Sequence, residues 1–180
     1  MLSHRWGASA AVAIMAPVFA VAEAVAFTAA GARLLDVGTA GALIPAIRRA
    51  TADVLICGYA EGADLVLDAD LAACSGAGMI CRDPAAAAAA VRRGIAPEQI
   101  LVRVAPARIE SAAESGWATL VDVDAVGGSL AGVEAVAAVC GWLGASVVRT
   151  RHVAEVRRAL DMTETIRGTR PPTWTIRGLA

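Results

Sequence analysis

One pattern constrains this chain more than any other: a short apolar run, rich in β-branched residues, that ends on a polar residue or glycine and passes into a helix-like segment. The runs are Val12–Met15, Leu34–Leu35, Val54–Cys57, Leu65–Leu67, Met79–Cys81, Ile100–Val102, Thr119–Val123 and the Val147–Val148 pair. Strands covered on both faces read as continuous apolar runs, whereas half-exposed strands alternate. Alternation of such strands with helices implies a parallel sheet, and eight of them predict a (β/α)8 barrel. At 180 residues the chain falls below the usual ~200 for that fold. The expected architecture is therefore a contracted TIM barrel, with a doubly wound parallel sheet as the alternative.

The connections carry matching signals. Gly31 closes a helix expected over Val18–Ala30, and Gly38 and Gly41 permit a tight turn into an apolar helix over Leu43–Ile47. The stretch from Asp83 to Gly94 holds a cap, a first-turn proline, an alanine run, a basic last turn and a glycine stop. A short helix around Arg108–Glu114 follows, and Gly127 and Gly128 are read as opening a helix over Leu130–Leu143 whose one charge is Glu134. Apolar nearly all round, that helix needs cover on both faces, so a partner subunit is expected. Between Val54–Cys57 and Leu65–Leu67 there is too little chain for a crossover helix, since parallel strands usually need about a dozen residues between them. The second of these runs is read as closing on Asp68 and Asp70. Residues 1–167 are taken as a single domain and 168–180, with Pro171 and Pro172, as a tail that docks on a neighbour.

The uncharged run Ala8–Ala22, preceded by His4 and Arg5, has features of a signal segment over residues 8–26. Pro17 splits it and Glu23 interrupts the apolar stretch that follows, so a first strand and helix are the preferred reading. A formal net charge of -1 argues against a nucleic-acid partner, which calls for a basic surface. The uncharged part of the run is short for a bilayer span of ~20 residues, and no membrane association is expected. Cys57, Cys74, Cys81 and Cys140 lack metal-ligand spacing, so no metal or cofactor is expected and reduced thiols in the cytoplasm are. The sequence contains neither lysine nor asparagine, and all 16 basic residues are arginine. Codon bias explains this at surface sites, but a lysine or asparagine of fixed catalytic geometry would survive it.

The chemistry is expected at the carboxyl ends of the strands. There the chain carries Asp36, Asp68, Asp70, Arg82, Arg103, Asp122, Asp124, Arg149 and Arg151. The last strand delivers Arg149, Arg151 and His152 to the start of a helix bearing Val153, Val156, Leu160 and Ile166, where free backbone N–H groups favour anions. One reading is a phosphate site built from Arg149, Arg151, His152 and the Gly127–Gly128 turn, with Asp36, Asp68, Asp122 and Asp124 around it. The other is a ring of mutually satisfied ion pairs. His152 is more readily a helix-start residue than a base, and Trp117, Trp142 and Trp174 are read as packing or interface residues.

Several of these segments together resemble the dihydropteroate synthases. Gly31, Ala32, Asp36 and Gly38 match the family's second-strand pattern, and Gly94, Pro97, Glu98 and Ile100 match its approach to the sixth strand. Arg149 stands at the arginine of the Arg-x-His pair on the last strand, with Arg151 in place of the histidine and His152 displaced by one. The ending Arg170-Pro171-Pro172 through Arg177-Gly178-Leu179-Ala180 is most like the second, synthase-like paralogue of actinobacteria. The resemblance implies a pterin-binding barrel of folate biosynthesis that dimerises through its late helices. It also implies losses. Cys57 and Gly58 occupy the third-strand aspartate site, Leu67 and Asp68 the fourth-strand Asn-Asp, Arg103 and Val104 the sixth-strand Asp-Pro, and the seventh-strand serine and lysine have no counterpart. The expectation is a degenerate relative without synthase activity, acting as a binding or partner protein in a homodimer or beside a full-length paralogue. The alternative is an enzyme on another phosphorylated small molecule, with Asp122 or Asp124 as base and Arg149 with Arg151 as the anion clamp.

Overall fold

A computed structural model describes residues 11–170. Its eight strands are β1 (Ala13–Pro17), β2 (Leu34–Gly38), β3 (Leu55–Gly58), β4 (Leu65–Val66), β5 (Gly78–Cys81), β6 (Ile100–Arg103), β7 (Ala118–Asp122) and β8 (Val147–Arg149). Every neighbouring pair is parallel, and β1 pairs with β8 through Ala13↔Val147 and Met15↔Arg149, so the sheet closes on itself. The closed barrel rules out the doubly wound alternative.

The helices are α1 (Val21–Ala29), α2 (Ile44–Ala50), α3 (Ala69–Ser75), α4 (Pro84–Arg92), α5 (Ile109–Glu114), α6 (Asp124–Gly127), α7 (Leu130–Trp142) and α8 (Val153–Ile166). Strand alternation sorts the core into two compartments. Met15, Leu34, Leu55, Cys57, Leu65, Ile80, Leu101, Leu120 and Val147 fill the barrel interior. The intervening residues, among them Ile14, Leu35, Ile56, Val102, Val121 and Val148, pack outward against Ile47, Ala87, Ile109, Val133 and Leu160 of the helices.

Two expectations from the sequence are corrected. Asp68 and Asp70 do not close a strand: Asp68 is the N-cap of α3, its carboxylate accepting from the backbone N–H of Asp70 and Leu71 at 2.9 Å each. A helix of seven residues containing Ser75 and Cys74 has too little apolar periodicity to announce itself, and its local signals are the Asp68 cap and the left-handed Gly76 that ends it. The Gly127–Gly128 pair does not open the long helix either, because Asp124–Gly127 form a helix of their own.

The scarcity of chain between β3 and β4 is real. The six residues Tyr59–Asp64 join them without a helix, and the two strands still pair in parallel through Cys57↔Leu65 and Gly58↔Val66. Asp64 holds this short link: its backbone N–H donates to Ile56 O at 2.7 Å, and its carboxylate accepts from Ile56 N at 2.7 Å and from Arg48. Gly58 lies so close to Val37 Cγ2 that a Cβ there would stand 2.8 Å away.

Residues 13–17 of the apolar run first weighed as a signal segment are β1, and Glu23 lies in α1, where its carboxylate accepts from Phe19 N at 2.7 Å. No helix among the described residues is long and apolar enough to cross a membrane. The tail from Pro171 onward, with Trp174, lies outside the described residues.

Candidate functional site

The carboxyl ends of β2, β7 and β8 place one charged side chain each on the inward face, two residues beyond Leu34, Leu120 and Val147 of the interior core. These are Asp36, Asp122 and Arg149. The guanidinium of Arg149 donates from Nε to Asp36 Oδ2 and from Nη1 to Asp122 Oδ2, both at 2.9 Å. Since β2 and β8 both flank β1, this bridge spans the mouth above β1. The second carboxylate oxygens are also engaged: Asp36 Oδ1 accepts from Gly38 N at 2.9 Å and Asp122 Oδ1 from Ala125 N at 3.2 Å. The side chains are 16% (Asp36), 24% (Arg149) and 27% (Asp122) exposed, so water screens the triad only in part. Burial alone would lower the Arg149 pKa. The hydrogen bond to Asp36, and the charges of Asp36 and Asp122, outweigh it and hold the guanidinium above its ordinary value.

The start of α8 is likewise filled from within. Asp124 Oδ1 accepts from Thr150 Oγ1 at 2.5 Å, while its Oδ2 accepts from Arg151 N at 2.9 Å and Arg151 Nε at 3.3 Å. Thr150 Oγ1 in turn accepts from His152 N at 3.0 Å. His152 is the N-cap residue of α8 and makes no side-chain capping bond. A helix start that could attract an anion is thus supplied with a carboxylate by its own chain.

The glycine turn is filled as well. A Cβ at Gly127 would stand 2.4 Å from Val133 N, and one at Gly132 would stand 2.0 Å from Gly127 O. The turn lies against the first helical turn of α7, whose N-cap Ser129 accepts from Gly132 N at 3.2 Å. Elsewhere, Arg82 lies beside Asp83 at 3.3 Å and Asp70 pairs with Arg93. The structure therefore brings Asp36, Asp122 and Arg149 into one cluster and Asp124, Arg151 and His152 into a second beside it. Asp68 belongs to neither.

Cys57 stands beside Asp36 in register on the inner face of β3. Burial, then Asp36, pushes its thiol up to about 12 against the opposing pull of Arg149 and Arg103. It is protonated at any physiological pH and is not a nucleophile. Among the described residues no group of acidic, cysteine and histidine side chains could hold a metal ion.

Sequence reasoning missed Glu164. It lies on the otherwise apolar stripe of α8 and is 9% exposed. Its Oε1 accepts from Val12 N at 3.1 Å and from Arg157 Nη2 at 3.3 Å, and Arg157 Nη1 donates to Val12 O at 3.0 Å. The pair clasps the start of β1 at the end of the barrel away from the mouth. An acid four residues after Leu160 on a buried stripe was the available signal. A cavity of about 1180 Å³ opens at that same end, reaching both ends of the described chain at Ala11 and Arg170. None of the mouth residues lines it. Barrel chemistry is built at the carboxyl ends of strands, so the site is assigned to the mouth.

No family model matches the chain. Among curated proteins it is 32% identical to an inactive dihydropteroate synthase 2 of Mycobacterium tuberculosis over 126 residues, covering 57% of this chain and 40% of the relative. It is 35% identical over 83 residues to the protein of the same name from Mycobacterium leprae, covering 40% and 28%. The chain thus spans well under half the length of these curated relatives. Among solved structures, Mycobacterium tuberculosis Rv1207 superposes with a TM-score of 0.77 at 26% identity, over 92% of this chain and 96% of that one. The dihydropteroate synthase of Yersinia pestis superposes with a TM-score of 0.76 at 16% identity, over 89% and 94%, a likeness of fold.

Proposed function

We infer that this chain, a dihydropteroate-synthase-like protein of the degenerate kind, is a non-catalytic binding or partner protein connected with folate biosynthesis. One observation carries the reading: the charged groups around Arg149 and Asp124 at the mouth are spent on one another. Arg149 is shared between Asp36 and Asp122, and Asp124 occupies the helix start where the resemblance would place a diphosphate. A substrate would have to displace these charge-assisted bonds, each stronger than a neutral one. The absence of lysine and asparagine supports the same conclusion, since the synthase pattern uses both. Names of the curated relatives agree with it.

The test is a steady-state assay with pterin diphosphate and aminobenzoate. The expected result is no pteroate above the rate without protein. Pteroate formation abolished in a still-folded Arg149→Ala variant would overturn the reading.

The partner is read as a second copy of the chain or a full-length paralogue. Support comes from α7, whose one charge is Glu134 and where Val139 (54% exposed) and Trp142 (55%) remain uncovered, and from Met162 and Ile166 on the adjoining α8. Introducing charge there by Trp142→Glu is expected to lower the mass measured by analytical ultracentrifugation, for the chain alone or mixed with a full-length homologue, without lowering the melting temperature of the monomer. Cytoplasmic placement belongs to the same reading and fits the three buried unpaired thiols of Cys57, Cys81 and Cys140.

A further inference from the structure

The cavity of about 1180 Å³ lies at the amino end of the barrel, and the described chain runs out at its wall. The last turn of α8 fixes how it arrives there. Gly168, at φ +74°, ends the helix in the left-handed conformation. The N–H groups of Thr169 and Arg170 then donate to Glu164 O at 3.0 and 3.3 Å, and the Thr169 hydroxyl donates to the same oxygen at 3.1 Å. Arg170 also pairs with Asp161, so the chain is folded back against α8 and Pro171 departs from the cavity wall. Proline cannot extend the helix, and two in succession hold an extended course with little backbone freedom left to lose.

The residues that follow are patterned for a half-covered strand. Thr173, Trp174, Thr175 and Ile176 alternate polar and apolar, which puts Trp174 and Ile176 on one face. The cavity offers such a face a seat, because Val12, Leu34, Leu55 and Ala145 line it with apolar surface where the strands begin. On its wall the exposed Asp53 makes no ion pair or side-chain hydrogen bond among the described residues, and Arg177 brings the opposite charge. The other stretch that meets the wall, Gly7-Ala8-Ser9-Ala10 ahead of Ala11, offers no large side chain to fill it.

We propose that residues 171–180 seat in this cavity as an intramolecular cover for the amino end of the barrel, with Trp174 and Ile176 turned to the strand starts. Ten extended residues reach at most ~35 Å, and this segment is tethered at the edge of its own seat. Tethering gives it an effective concentration that a separate molecule has to exceed. The segment that the sequence alone assigns to a neighbour is thereby assigned to its own barrel.

The experiment makes Trp174 the one indole emitter of the full chain through Trp6→Phe, Trp117→Phe and Trp142→Phe, and compares acrylamide quenching in the folded and urea-unfolded protein. Folded Trp174 is expected to be quenched several-fold less, equally so across a wide dilution series. Ala52→Arg, which sends a long side chain into the cavity from an exposed position, should restore quenching to near the unfolded level. Ala85→Arg, exposed on α4 and outside the cavity wall, should not. If the triple change weakens folding, the difference in emission between the natural chain and Trp174→Phe gives the same comparison. Trp174 as open to acrylamide as in urea overturns the proposal, and so does protection lost on dilution, which would place the segment on a neighbour. Protection that answers to both arginine variants alike, or to neither, also overturns it, since the segment would then lie elsewhere.

Discussion

At the scale of single residues, Arg149 decides what the mouth can do. Its two carboxylate partners lie on strands that are far apart in sequence, at Asp36 and Asp122, and each oxygen that it leaves free is held by backbone N–H. Arg149→Ala would strand two carboxylates facing each other across β8 and β1. Removing one partner of a fully buried pair costs ~3–5 kcal/mol. The residual exposure of these side chains brings the expected loss down to about 2–3 kcal/mol, measurable as a lowered urea midpoint. The triple change to apolar residues of similar size should recover most of that loss, because the penalty lies in unpaired charge rather than in a missing attraction. That each residue sits at a strand end was legible in the sequence. That they satisfy one another was left there as one of two readings, because only closure of the barrel brings β2 beside β1 and β8 on its other edge.

Among the elements, legibility followed the strength of the local pattern. The four signals around α4 placed it almost to the residue, Asp83 capping through Ala86 N at 2.7 Å and Pro84 opening the helix. The short helices α3 and α6 went unread because they bury little and their caps, Asp68 and the Val123–Asp124 turn, fall inside what looks like strand-end chemistry. The junction of α6 with α7 leaves no room for a side chain at Gly127 or Gly132. Since a Cβ on Gly132 would meet a backbone oxygen at 2.0 Å, Gly132→Ala cannot be relieved by rotating a side chain. We expect a loss of about 1–3 kcal/mol, the cost of overpacking, despite alanine's higher helix propensity. An equal change at Gly76, which has open space but φ of +70°, should cost less, about 1 kcal/mol, from backbone strain alone. Paired thermal melts of the two variants would check the order.

For the molecule as a whole, the closed barrel keeps three thiols out of water. Burial raises Cys57 to about 12 and Cys81 and Cys140 to about 11, from an ordinary value of 9.0. The folded state holds these protons more tightly than the unfolded chain, so the stabilisation is complete below pH ~9. It falls as pH rises from there toward 11, where unfolded thiols have ionised and folded ones have not. Urea midpoints should decline across that window, and less steeply when Cys57, Cys81 and Cys140 are all replaced by alanine. Exposed Cys74 should be the one thiol among them that reacts with Ellman's reagent in the native protein at pH 8.

The same closure has an uneven wall. β4 contributes two residues, joined to β3 by two register pairs and to β5 by two more, with no helix between β3 and β4 to brace the outside. A hoop parts at its narrowest stave, so amide protons of Leu65 and Val66 should exchange with deuterium before those of β1 or β7, and a protease that cuts the native protein should first find the chain between Tyr59 and Asp68.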